Sequence, residues 1–130
     1  HPNRNRDAYI PARCMEIIAQ RGFAVDGQLD PTWSAVNHDF TGLPPVLIQV
    51  GSTECLLPDA EALARHCAGA RIPTRLQIWD CAPHVHHIGS DLLTDARAAI
   101  DHLGKFHQTV IAGRSRRPRT RSCRSRPASA

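Results

Sequence analysis

The chain has 130 residues, 42% of them hydrophobic and 22% charged. That composition suits one globular domain, or part of a larger one, and excludes a low-complexity polymer; no apolar run approaches the length of a membrane-spanning helix. The formal charge of +4 is misleading, because residues 114–130 hold seven arginines and no acid; without them 9 basic residues face 12 acidic ones, a net of −3. A mildly acidic body therefore carries a basic tail, and the two are read separately.

Residues 1–40 read as a connecting or covering segment. The chain begins at His1 rather than at a methionine and has no basic-then-apolar leader, which points to a trimmed or partial product. Pro11 suits a first helical turn, and Met15, Ile18 and Ala19 can share a face of a short helix that Gly22 would end. Asp30-Pro31 is a turn signal. No catalytic constellation and little sheet are expected here.

Residues 41–108 carry the organised part. Thr41-Gly42-Leu43-Pro44-Pro45 breaks any helix and sets up an extended entry. Val46 to Val50 is nearly all apolar, as in a strand buried on both faces of a parallel sheet. After Gly51, Pro58 marks a helix start, and Ala60, Leu63, Ala64 and Cys67 follow helical spacing until Gly69. Thr74 to Trp79 alternates as a second strand. Strand, helix and strand in this order form a βαβ unit with parallel pairing. Gly89-Ser90 then makes a turn with Ser90 as a plausible cap. Leu92, Ala96, Ala99, Ile100, Leu103 and Phe106 form the stripe of a last helix, reaching about His107. Residues 109–130 read as a disordered Arg-rich tail, too poor in apolar groups to offset its ordering entropy.

Five cysteines at 14, 55, 67, 81 and 123 are scattered and odd in number. That is no secreted disulfide framework, and reduced thiols in a cytoplasmic protein are expected.

Two residues stand out chemically. Glu54 follows the first strand and its glycine turn; His84 follows the second strand and Pro83. Each alone is compatible with an ordinary loop side chain. Together, thirty residues apart, they lie beyond the carboxyl ends of neighbouring parallel strands, where side chains converge on one crevice. A carboxylate meeting an imidazole there makes an oriented base that lacks a nucleophile. The run His84-Val85-His86-His87, with Cys81 nearby, invites a metal reading, but no partner at metal-ligand spacing exists elsewhere and no metal is expected. His86 and His87 read as loop packing or pocket lining. No serine sits in G-x-S-x-G. The tail lacks aromatic interleaving and a recognition fold, so nucleic-acid binding is disfavoured.

Leu-Pro-Pro-Val-Leu-Ile-Gln-Val-Gly-Ser-Thr-Glu-Cys-Leu-Leu-Pro-Asp, followed by Trp-Asp-Cys-Ala-Pro-His-Val-His-His, resembles the C-terminal part of α/β-hydrolase esterases of the hormone-sensitive-lipase-like branch. The resemblance covers about residues 25–107, with the lead-in from Asp30 to Pro45. It implies an α/β fold of parallel strands with packing helices, and a carboxylic ester hydrolase working by Ser–Glu–His acyl transfer on a small acyl ester. Glu54 matches the family's acid and His84 its histidine; the nucleophilic serine and oxyanion loop would lie upstream of His1. Neither metal nor organic cofactor is implied. The chain departs from the family pattern at Thr53, Pro58, Cys81, Ala82 and His86, and the tail has no counterpart. By this reading the 130 residues alone have negligible esterase activity. The alternative is a non-catalytic remnant whose basic tail binds nucleic acid or another acidic surface.

Overall fold

The computed structural model of the protein describes residue 3 and residues 6–115. Seven regular elements follow in order: α1 (Ala12–Gly22), β1 (Ala24–Val25), β2 (Gln28–Leu29), β3 (Val46–Gly51), α2 (Leu57–Gly69), β4 (Thr74–Trp79) and α3 (Thr94–Ser115). Short 3-10 turns cover Pro31–Trp33, Ala35–Asn37 and His86–Gly89.

The βαβ unit forms as the apolar pattern predicts. β3 and β4 pair in parallel, from Val46 opposite Thr74 to Gly51 opposite Trp79. Side chains alternate across a strand, so each face takes its own helix. Val46 packs with Leu63 against the core of Phe40, Cys67 and Ile72, which puts α2 on the face of Val46, Ile48 and Val50. On the opposite face, the Gln49 side chain donates to the Ala99 carbonyl at 2.9 Å, so α3 lies there. Ala96 and Ala99 are buried; their small side chains let the α3 backbone come within reach of the glutamine.

That second face is polar for a layer between sheet and helix. Gln49 also donates to Gln77, Gln77 meets His102 of α3, and His87 meets Gln49. Each half-buried glutamine amide thereby finds a partner, which keeps the desolvation cost low.

Two boundaries and one added element differ from the sequence expectation. α3 starts at Thr94 rather than near Ser90, and Leu92 is 90% exposed rather than part of the buried stripe. The backbone turns at Gly89, whose carbonyl accepts from both Leu92 and Leu93, and this delays the helix. At its far end α3 continues through residues 109–115, so the expected disordered tail does not begin at 109; its remainder, 116–130, lies outside the described residues. The first forty residues also hold a small antiparallel hairpin, β1 with β2, turned by Asp26 and Gly27, both at positive φ.

Candidate active site

β3 ends at Gly51 because the backbone must pass against the loop that follows β4. A Cβ on Gly51 would meet the Ala82 carbonyl oxygen at 1.9 Å and its carbon at 2.7 Å, inside any tolerable contact. The glycine thus lets the two post-strand loops touch. Ser52 and Thr53 then fasten them: the Ser52 amide donates to the Trp79 carbonyl and the Thr53 hydroxyl to the Ala82 carbonyl. The Ser52 hydroxyl accepts from the Cys81 amide and donates to Asp80.

Glu54 closes the first loop on itself. Its Oε1 accepts from the Gly51 amide at 2.6 Å, and its own amide donates to the Gly51 carbonyl. The other carboxylate oxygen, Oε2, lies 2.8 Å from Nδ1 of His84. The Glu54 side chain is 7% exposed and that of His84 24% exposed. A buried carboxylate facing Nδ1 favours the tautomer protonated there and leaves Nε2 as the proton acceptor. The two residues expected to meet are therefore in contact.

His84 sits between two residues in the left-handed region, Cys81 and Val85, each at φ 50°. The turn into His86–Gly89 follows directly, with the His86 amide on the Pro83 carbonyl. His86 is buried, its ring packed against Trp79 and His87. Burial and the neighbouring His87 push its pKa down, against weaker opposing pulls from Glu54 and Asp95. His87 is taken up by Gln49. The run of three imidazoles is thus divided among three surroundings, and among the described residues no group of His, Cys, Asp or Glu is placed to hold a metal. The cysteines at 14, 55, 67 and 81 are free thiols.

Two polar residues of the first segment reach this turn, and sequence reasoning missed both. Asn3 and Asp7 are buried against it. Asn3 Nδ2 donates to the carbonyls of Ser52 and Glu54, at 2.7 and 3.1 Å. Asp7 accepts the amides of Tyr9 and Ile10 on one oxygen and that of Cys55 on the other. Burial works against the Asp7 charge, but the amides of Ile10, Cys55 and Tyr9 outweigh it and hold the carboxyl below its usual pKa. The Asp-x-Tyr-Ile spacing was a signal of a local Asx turn; the reach to Cys55 had none.

A cavity of about 450 Å³ opens beside the pair. It is lined by Ile48, Gln49 and Val50, three consecutive residues, so it runs along the outer edge of β3; Leu63, Glu54 and His84 complete that wall.

Parallel strands whose carboxyl ends deliver an acid and an imidazole into one crevice define an α/β protein of hydrolase type. The comparisons narrow the class. The chain belongs to the α/β-hydrolase fold family, whose pattern matches residues 1–88. It is 31% identical over 128 residues to the carboxylesterase/phospholipase LipF of Mycobacterium tuberculosis, covering 94% of this chain and 34% of that protein. With the acetyl-hydrolase of Streptomyces hygroscopicus it shares 36% identity over 105 residues, 81% of this chain and 35% of the relative. Among solved structures it resembles an esterase of the bacterial hormone-sensitive lipase family, with a TM-score of 0.72 and 34% identity over 85% of this chain and 37% of that one. A hormone-sensitive-lipase homologue from a metagenome library, EstE7, aligns with the same TM-score at 30% identity, over 85% of this chain and 38% of its own. These likenesses place the chain with the carboxylesterase- and lipase-like hydrolases of the hormone-sensitive-lipase-like branch. The chain spans about a third of the length of the curated relatives it matches.

Proposed function

We propose that this chain supplies the acid and the base of a Ser–Glu–His triad in a carboxylic ester hydrolase. The observation that carries the reading is the 2.8 Å contact between Glu54 Oε2 and His84 Nδ1. In that mechanism His84 Nε2 takes the proton of a serine hydroxyl as it attacks the ester carbonyl, and returns it to the leaving alkoxide. Glu54 holds the tautomer and stabilises the imidazolium between those steps. The serine and the oxyanion donors are supplied by residues outside the 130, since no serine here stands in G-x-S-x-G. Alone, the chain therefore hydrolyses esters negligibly.

The cavity beside the pair falls within the size range of small-molecule sites and supports a small acyl ester as substrate. No described helix is long and apolar enough to cross a membrane. Scattered free thiols support a cytoplasmic setting.

A chimera tests the proposal. Residues 1–115 replace the corresponding third of a hormone-sensitive-lipase-family esterase, and turnover of p-nitrophenyl butyrate is followed. The chimera is expected to be active, losing about 10⁴–10⁶-fold in kcat with His84→Ala and about 10³–10⁴-fold with Glu54→Ala. A folded, active chimera indifferent to His84→Ala would overturn the reading.

A further inference from the structure

We infer that Asn3 and Asp7 are positioning residues for Glu54, acting through the peptide bond that follows it. The inference rests on Glu54 and His84 working as the acid and base of a triad. Asn3 Nδ2 donates to the Glu54 carbonyl, while Asp7 Oδ2 accepts from the Cys55 amide at 3.1 Å. Carbonyl and amide belong to one peptide unit. Two side chains, 51 and 48 residues upstream, therefore hold both polar ends of a single rigid plane.

The contacts around that plane repeat the pattern. Asn3 also takes the Ser52 carbonyl. The Cys55 thiol donates to the Ile10 carbonyl, and the Ile10 amide returns to Asp7. Among the described residues, Asn3, Asp7 and Ile10 are thus tied to residues 52–55 by hydrogen bonds on backbone carbonyls, an amide and a thiol rather than on the Glu54 carboxylate.

The mechanical consequence follows from covalent geometry. The Glu54 carboxylate hangs from its Cα by rotatable bonds and, among the described residues, is held at its tip by the Gly51 amide and His84. A rotation of the Glu54–Cys55 plane swings the root of the side chain. The tip then moves by more than the few tenths of an ångström that a charge-assisted bond at this distance tolerates. Pinning the plane at both ends removes that freedom before any substrate arrives, the usual way a reacting group is preorganised by its supporting residues.

The experiment reads the histidine, not turnover. The 130-residue chain is labelled with ¹⁵N-histidine, and long-range ¹H–¹⁵N correlation spectra at mildly alkaline pH give the ratio of the two neutral His84 tautomers. Wild type is expected to favour Nδ1–H. Glu54→Ala, which removes the acceptor, should lower that ratio about tenfold or more. Asp7→Asn keeps the side-chain size but turns an amino group toward the Cys55 amide, and Asn3→Ala removes the donor to the Glu54 carbonyl. Each should lower the ratio about threefold or more while the amide shifts of β3 and β4 stay in place.

A strap serving stability alone would leave the ratio unchanged in both variants. That result, beside a response to Glu54→Ala, overturns the positioning role and leaves the acid–base pair standing. A ratio indifferent to Glu54→Ala overturns the pair itself and this inference with it. If Asp7→Asn collapses the dispersion of the sheet resonances, Asn3→Ala decides alone, since it removes one neutral donor and leaves no buried charge.

Discussion

Helices α1 and α3 both show an apolar stripe in sequence, yet they have different fates. α3 lays Ala96 and Ala99, both buried, on the sheet face that carries Gln49. α1 buries none of its residues; it neighbours the small β1–β2 hairpin, and Ile17 and Ile18 stay about half exposed. The same contrast separates the βαβ unit from residues 12–37 as a whole. In the first, every element is fixed by another far along the chain. In the second, contacts are mostly local. Periodicity specifies that a helix owns an apolar face; it says nothing of what covers it.

Substitution at two glycines should break this comparison most sharply. Gly51→Ala drives a methyl into the Ala82 carbonyl and is expected to cost about 3 kcal/mol in urea unfolding. Gly22→Ala meets nothing within 4 Å and ends a helix, so it should be neutral or stabilise by about 0.5 kcal/mol. A smaller contrast comes from isoleucines. Ile72→Ala, at 7% exposed in the core beside Phe40 and Cys67, should cost about 2–4 kcal/mol. Ile18→Ala, at 49% exposed, should stay within about 0.5 kcal/mol. Equal losses for the two would mean that α1 is covered in solution.

The smallest effect is on pH dependence. His86 and Asp7 both have folded pKa values below their ordinary 6.5 and 3.8. The unfolded chain then binds more protons, so each contribution is complete above the ordinary value and declines as pH falls through the folded one. His86→Leu should flatten the decline that begins below about pH 6.5, and Asp7→Asn the one below about pH 3.8. Unfolding midpoints across pH check both. A substitution on α1, whose exposed side chains include neither group, should move neither limb.

The βαβ unit was legible in the sequence because its signals are local and redundant. An apolar run, a helical stripe and an alternating run are each bounded by glycine or proline. Glu54 and His84 followed from where those runs stop. Other features were not legible for physical reasons. Asp26-Gly27 is a known hairpin dipeptide, but two-residue strands leave too short a pattern to mark. The late start of α3 depends on the bonding at Gly89, and Leu92 only looks like part of the stripe by spacing. Asn3 and Asp7 matter through contacts about fifty residues away, which no local window contains.

Cys81 and Val85 flank the imidazole in a backbone region that costs an ordinary side chain about 1–3 kcal/mol. A β-branched residue such as Val85 is among the least suited to it. Mutational drift at these two sites is therefore channelled: glycine or asparagine would relieve the backbone, while bulkier replacements would only add to the load. Swapping either residue for its mirror-image form by chemical synthesis would relax the loop with the side chain kept, a way to ask how much of the histidine's placement comes from handedness alone.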